Sequence, residues 1–249
     1  MLALFAHPDD ESLLAGGMLA ACAEAGLRVG IVSLTRGELG PISTPGVTRE
    51  QLGAEREREL NAAGEELGAA WSRCLDMPDG ELQGIEQDEA VAAIRAVLGP
   101  TAPRAVITFA ADGLYWHPDH IATRELVHAA VGSLAPIYEA TWPTVVVERV
   151  VAELRRRSLG DDLWGIDPGA FGAAPETIVA ELDVTSLLER KLRALRCHRT
   201  QLGSEHLLRV LPDDLARELL GHEWLCAPAD HSWLTAAVAA AASENPVPQ

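Results

Sequence analysis

Apolar and polar positions change period several times along the chain, and each change marks an element. Leu2 to Ala6 is a continuous apolar run of strand length that stops at His7-Pro8. Glu11 to Ala25 has helical spacing and ends at Gly26; Gly16-Gly17 weakens it locally and lets the backbone approach a neighbour closely. Leu27 to Thr35 reads as a second strand, buried on both faces over its centre. Arg36 to Thr48 is rich in Gly, Pro and Ser/Thr and is expected to form the rim of a site. Arg49 to Leu67 is a helix dense in Glu and Arg, and many of its charges read as a solvated face with i,i+4 pairs.

A short third strand, Ala70 to Leu75, leads into a turn-rich stretch from Asp76 to Gly84. The helix from Gln87 to Leu98 is closed by Gly99-Pro100. Ala105 to Ala110 is a fourth strand; Asp112-Gly113 follows, and His117-Pro118-Asp119-His120 opens a helix to about Val131. Ile137 to Ala140 is a short strand. In Thr144 to Arg157, Val145-Val146-Val147 favours strand, but Val147, Val150, Val151 and Leu154 have helical spacing, and a helix is expected. Asp161 to Pro175 reads as an irregular loop, Ile178 to Val184 as an edge strand, and Thr185 to Thr200 as a helix capped by Thr185 or Ser186. The remainder is expected to be helical with breaks, with a frayed tail over Ser243 to Gln249. Alternating strands and helices imply an α/β fold with a mostly parallel sheet and right-handed crossovers. No repeat or linker divides the chain, so one domain is expected over residues 1–249.

Composition narrows the function. The chain has 249 residues, 48% of them apolar, which excludes a disordered protein. Its formal net charge of −17 argues against nucleic-acid binding, which needs Lys and Arg against phosphates. Lys191 is the only lysine. Cys22, Cys74, Cys197 and Cys226 are far apart and form no C-x-x-C pair, so they read as thiols and not as a disulfide or zinc framework. No secretory leader pattern and no membrane-length apolar run is present. A soluble, reducing, cytoplasmic setting is expected, with no membrane partner and with assembly into a homo-oligomer left open.

The chemistry concentrates at two strand-to-helix junctions. The first, His7-Pro8-Asp9-Asp10-Glu11, is by itself equally a helix start, because acids in a first turn are favoured by the helix dipole. The second, Tyr115-Trp116-His117-Pro118-Asp119-His120, repeats the His-Pro-Asp core. Pro118 suits the first helical position, and His117 and His120 share one face of the new turn. Two such junctions at the carboxyl ends of parallel strands, where α/β sheets bind ligands, point to a divalent metal. His7, Asp10 and His120 are the expected ligands, in the catalytic zinc pattern that leaves a fourth position to water. Water bound there has its pKa lowered to about 7. Asp9 is placed as general base, His117 as donor to a developing oxyanion and Tyr115 as a second donor. The reaction class is metal-assisted hydrolysis of an amide or ester; Fe²⁺ or Co²⁺ would suit such ligands as well as Zn²⁺.

Ala6-His7-Pro8-Asp9-Asp10-Glu11 taken with His117-Pro118-Asp119-His120 resembles the LmbE/PIG-L family of zinc-dependent N-deacetylases. That family includes N-acetylglucosaminyl-inositol deacetylases of mycothiol biosynthesis, related bacillithiol enzymes and mycothiol-conjugate amidases. Thr35-Arg36-Gly37-Glu38-Leu39-Gly40 is similar to its T-x-G-E-x-G loop, and Arg56-Glu57-Arg58-Glu59-Leu60 to its R-x-x-E helix. Lys191 to Ala194 with Cys197 to Gln201 is similar to its late K-x-x-A-x-x-x-H-x-[ST]-Q segment. The resemblance implies a Rossmann-like fold, Zn²⁺ on His7, Asp10 and His120, Asp9 as base, and His117 and Tyr115 on the oxyanion side. It also implies substrate contacts at Arg56 and Asp79. The bland alternatives are a surface ion pair of Arg56 with Glu59 or Glu55, and an ordinary turn aspartate beside Gly80. Trp116 departs from the small residue of mycothiol-pathway members. His198 is left open between lining the site and capping a helix end, His128, His206, His222 and His231 have no supporting pattern, and Trp142, Trp164, Trp224 and Trp233 read as core or rim aromatics.

The leading expectation is removal of the N-acetyl group from an N-acetylglucosaminyl conjugate, a small-molecule acetamido sugar. Within enzymes the alternative is an amidase of thiol conjugates or an N-deacylase tailoring a secondary metabolite. A non-catalytic sugar-binding protein would need the base or a ligand to be missing, and all four residues are present.

Overall fold

The computed structural model describes residues 1–159, 163, 165–203, 206–227 and 230–244. Strands β1 (Leu2–Phe5), β2 (Gly30–Thr35), β3 (Trp71–Met77), β4 (Val106–Phe109) and β5 (Ile137–Thr141) are parallel. With β6 (Ala180–Asp183) and β7 (His222–Ala227) they form one sheet in the order β3-β2-β1-β4-β5-β7-β6. β7 runs antiparallel to both of its neighbours, β5 and β6. The helices are α1 (Asp10–Glu24), α2 (Arg49–Leu67), α3 (Gln87–Thr101), the kinked turn α4 (Gly113–Trp116), α5 (Pro118–Val131), α6 (Thr144–Arg156), α7 (Leu188–Cys197), α8 (Leu207–Val210), α9 (Asp213–Leu220) and α10 (Ser232–Glu244).

This is a Rossmann-like sheet flanked by helices. The chain moves outward from β1 to β3, then returns across the sheet to β4 beside β1. That reversal opens a crevice beyond the carboxyl ends of β1 and β4, where such sheets take ligands. Both strands are entirely buried, as continuous apolar runs covered on two faces should be. Phe5 and Phe109 meet edge to face at 4.9 Å at the end of each strand, just beneath the crevice.

The structure corrects the sequence reading at several points. α3 continues through Gly99-Pro100 to Thr101. Proline removes only one N–H near the helix end, and the Thr101 hydroxyl bonds the Val97 carbonyl at 2.8 Å. The stretch after Thr200 is not wholly helical, because β7 inserts between β5 and β6. Residues 185–187 are a separate short turn, and α7 stops at Cys197. α10 carries Ser243 and Glu244, so the helix extends into the expected tail, and residues 245–249 lie outside the described residues. Within α2, Arg56 and Glu59 are buried and do not belong to the solvated face. Asp161, Asp162 and Trp164 of the expected loop lie outside the described residues.

One buried ion pair ties β7 to the helices. Glu223 accepts from Lys191 Nζ at 2.7 Å, and both side chains are fully buried. The same carboxylate accepts the backbone N–H of Gly17 and of Met18, each at 2.7 Å. The glycines of α1 make this approach feasible. A Cβ on Gly17 would lie 2.5 Å from Val184 Cβ, and one on Gly16 would lie 3.0 Å from Lys191 Cγ. Glu223→Ala strands an ammonium and two N–H groups, and it should lower the unfolding free energy by about 3–5 kcal/mol in urea titrations. Lys191→Met combined with Glu223→Leu should recover part of that loss. A Glu223→Ala loss no larger than the ~1 kcal/mol of a surface pair would show that the contact does not pin α1.

Candidate active site

The first junction is set by a proline and a strained aspartate. After β1 the chain passes His7 and Pro8 and enters α1 through Asp9, whose φ of 132° is unusual for a residue with a side chain. Glu11 holds that conformation by accepting the Asp9 N–H at 3.0 Å. Glu11 in turn receives His198 Nε2 at 2.9 Å and the Ser12 hydroxyl at 2.5 Å, all of them buried. Burial pushes Glu11 upward, but His198 outweighs it and holds the carboxyl below its ordinary value; His198 is raised in return, against its own burial. The second junction follows β4. Leu114 and Trp116 both take positive φ, and α5 begins at Pro118 with His117 as its cap, where His117 Nδ1 accepts the Asp119 N–H at 3.2 Å.

These junctions bring His7, Asp10 and His120 together. His7 Nδ1 lies 3.1 Å from His120 Nε2 and 3.5 Å from Asp10 Oδ2, and His120 Nε2 lies 3.5 Å from Asp10 Oδ1. Ligand atoms at zinc distances on a tetrahedron stand about 3.3–3.4 Å apart, so each of these spacings suits a divalent ion of that size, with Asp10 turning one oxygen to His7 and the other to His120. The rings are also oriented for it. His120 Nδ1–H donates to the Gly113 carbonyl at 3.0 Å, which leaves the Nε2 lone pair facing the triangle. His120 stacks on Phe109 at 4.0 Å, and burial pushes it down to about 3, so it stands neutral as a ligand must. Burial pushes Asp10 upward, but His120 and His7 outweigh it and keep it ionised. Among the described residues two sets of three have all their ligand atoms within 4.8 Å of one another, His7 with His117 and His120, and His7 with Asp79 and Asp119, so Asp10 is not the only carboxylate placed to complete a metal site on His7.

Behind the triangle, His7 Nε2–H faces two more carboxylates, Asp79 Oδ1 at 3.1 Å and Asp119 Oδ2 at 3.4 Å. Burial alone would lower His7; Asp10, Asp119 and Asp79 together raise it well above its ordinary value, so a metal bound at Nδ1 would have to displace a proton from it. Asp119 also accepts the N–H groups of Gly80 at 2.7 Å and Leu82 at 3.1 Å, and Asp79 accepts that of Leu39 at 2.7 Å. The Asp79 carboxylate is therefore engaged on both oxygens, though the residue still lines the cleft.

Arg56 is 3% exposed, so a surface ion pair does not describe it. Its guanidinium donates to the carbonyls of Gly37 at 2.8 Å and Pro8 at 2.7 Å, and to Asp9 Oδ2 at 3.3 Å. Glycine is required at positions 37 and 40, where a Cβ would sit 2.2 Å and 2.6 Å from Arg56 Nη1. Burial pushes Asp9 up to about 6, against the pull of Arg56. Burial lowers His117, and it raises Tyr115, which keeps its phenolic proton.

All eight expected site residues except His120 line a single cavity of about 250 Å³, and His120 lies directly beneath it, at hydrogen-bonding distance from His7. A roomier groove of about 520 Å³ lies at the opposite edge of the sheet, but neither an acid nor a histidine lines it. Glu11, Asp119 and His198 stand in the motifs, but the sequence reading gives them no role in the site. The one signal for Asp119 was the repeat of His-Pro-Asp in the second motif; for His198 it was the late motif itself.

A Rossmann-like sheet with a histidine–carboxylate cluster at its switch point defines a class of α/β proteins suited to seating a divalent metal beside a carboxylate. The chain belongs to the PIG-L family, described as GlcNAc-PI de-N-acetylase, whose model matches residues 2–131. It is 33% identical over 260 residues to the 1D-myo-inositol 2-acetamido-2-deoxy-alpha-D-glucopyranoside deacetylase of Streptomyces griseus subsp. griseus, covering 90% of this chain and 81% of that one. The protein of the same name from Actinosynnema mirum is 34% identical over 256 residues, covering 90% and 89%. Among solved structures, the A40926 pseudoaglycone deacetylase Dbv21 shares the fold, with a TM-score of 0.61 at 22% identity, covering 90% of this chain and 95% of that one.

The Glu11 contacts generate a test. Glu11→Ala leaves His198 and the Asp9 N–H without their buried partner and should cost about 2–4 kcal/mol of stability in urea unfolding. Glu11→Gln keeps an acceptor for the Asp9 N–H and should lose clearly less. Equal losses in the two variants would show that the Asp9 contact contributes nothing.

Proposed function

We propose that this protein is a Zn²⁺-dependent deacetylase that hydrolyses the N-acetyl amide of an N-acetylglucosaminyl conjugate, releasing acetate and a free amine. The observation that carries this reading is the convergence of His7, Asp10 and His120 within 3.1–3.5 Å of one another, through both oxygens of Asp10, beside a cavity that also holds Asp9. The names of the inositol-glycoside deacetylases that the chain resembles over 90% of its length support the same chemistry.

In this reading His7, Asp10 and His120 hold the metal, which when bound polarises the amide carbonyl and lowers the pKa of water to about 7. Fe²⁺ or another divalent ion could take the same ligands. Asp9 is the general base. Its raised pKa brings it nearer to neutrality, where a base both accepts and returns a proton efficiently. Arg56 fixes the direction of its carboxylate. His117 spends Nδ1 on the Asp119 N–H, so in the neutral ring the proton sits on Nε2, and that N–H is the donor to the developing oxyanion. Tyr115 supplies a second donor through its hydroxyl. Asp79 and Asp119 accept the His7 Nε2–H and keep its ring turned to the metal, as outer carboxylates do for zinc histidines. Arg56 and Asp79 line the cavity, and we assign them contacts to the sugar in addition to these roles. Among the described residues no helix is long and apolar enough to cross a membrane, and the four cysteines are free thiols, which supports a reducing, cytoplasmic setting.

The experiment is primary-amine release from N-acetylglucosamine and its glycosides by the Zn²⁺-loaded protein. Asp9→Asn should lower kcat by about 10²–10⁴ while metal content stays at the wild-type level. Full activity of Asp9→Asn would remove Asp9 from the role of base. Chelation should abolish amine release and added Zn²⁺ restore it, and Asp10→Ala should copurify with far less metal. Activity that survives complete metal removal would overturn the reading.

A further inference from the structure

The cavity lining is of two chemical kinds. Histidines, acids and Arg56 supply one. Leu13, Pro41, Leu195, Leu202 and Leu208 supply the other, with Leu39 63% exposed; Leu195, Leu202 and Leu208 cluster, whereas Leu13 follows Asp9 by one helical turn. Gln201 interrupts this apolar lining; its Nε2 donates to the Pro41 carbonyl and to Thr200 Oγ1, each at 3.0 Å, and its Oε1 is the one side-chain acceptor among these leucines. Gly40, the remaining polar backbone there, has its carbonyl on Arg49 and its N–H on Gly37. A further narrow void lies behind the same leucines, bounded by Leu192, Leu195, Leu202 and Leu208 and by Arg196 and Arg209.

A polyol has a hydroxyl on nearly every carbon, and each needs a partner when it leaves water. Leucine and proline side chains offer none. An apolar group placed there instead gains about fourfold in affinity for each methylene buried. We propose that the substrate is an acetamido sugar carrying an apolar group, which lies along Leu13, Leu195, Leu202 and Leu208 while the amide faces the metal ligands. The inference rests on the deacetylase reading for the position of the amide. The apolar group belongs either to the aglycone or to a longer N-acyl chain, and the same wall would recognise both.

The test compares the methyl glycoside of N-acetylglucosamine with its hexyl glycoside, its N-hexanoyl counterpart and the inositol glycoside. Amine release reads KM for whichever ligands turn over, and calorimetry reads Kd for those that do not. With even part of the added methylenes buried, about five in the hexyl glycoside and about four in the N-hexanoyl ligand, either should bind at least about tenfold tighter than the methyl glycoside. Whichever of them gains identifies the source of the apolar group. Leu202→Asn and, independently, Leu195→Asn should shrink that gain to within about threefold. Absence of any gain in the wild-type protein, or tighter binding of the inositol glycoside than of both hexyl ligands, would overturn the proposal. Failure of every ligand to release amine would instead remove the deacetylase reading, and the calorimetric gain would still decide whether the apolar wall binds.

Discussion

Both ring nitrogens of His7 are committed, and the rest of the site is arranged around that. Nδ1 faces Asp10 and His120; Nε2 faces Asp79 and Asp119. Those partners come from the start of α1, the first turn of α5 and the loop after β3. They meet only because β1 lies one strand from β4 and two from β3. Four carboxylates, Asp9, Asp10, Asp79 and Asp119, share this cleft with the Arg56 guanidinium and the imidazoles. Charges packed so closely repel one another strongly away from water, and a divalent cation offsets that repulsion better than any single side chain.

Holding such a cluster demands backbone conformations that cost energy. Asp9, Leu114 and Trp116 all have positive φ, at roughly 1–3 kcal/mol each. The surrounding structure enforces them. Glu11 takes the Asp9 N–H, Asp112 takes the Trp116 N–H at 2.8 Å, and Leu114 is fully buried with its carbonyl bonded to Gly172 at 2.5 Å. α1 is held twice, at its first turn through Glu11 and His198 and at its middle through Glu223 and Lys191. Rigidity at the polar lining of the cavity contrasts with the lining formed by Leu195, Leu202 and Leu208, whose contacts are non-directional and adapt to shape.

Much of the fold was legible along the chain. α2 was readable to both ends because its stop signals are local: the Thr48 N–H is accepted by Gln51 Oε1 at 3.0 Å, and Gly68 takes a left-handed conformation after the last turn. β7 was not legible. It is a six-residue stretch containing a glutamate, and Glu223 is tolerable inside the protein because Lys191 and the N–H groups of Gly17 and Met18 reach it. The end of α3 was misjudged because a proline near a C-terminus removes just one bond.

The site divides in the same way. Spacing alone put His7, Asp9 and Asp10 at one helix start and His117 and His120 on one face of another, since first-turn geometry follows from neighbouring residues. The sequence by itself thus determined the alternating elements and the two junctions with their chemical character. Tertiary structure decided which strand ends meet, that Asp119 and Asp79 turn to His7, that His198 supports Asp9 through Glu11, and that leucines from α1 and α7 line one cavity with the acids. The physical reason is range. Periodicity and capping depend on residues a few positions apart, whereas the state of a buried charge depends on partners that only the folded chain brings within hydrogen-bonding distance.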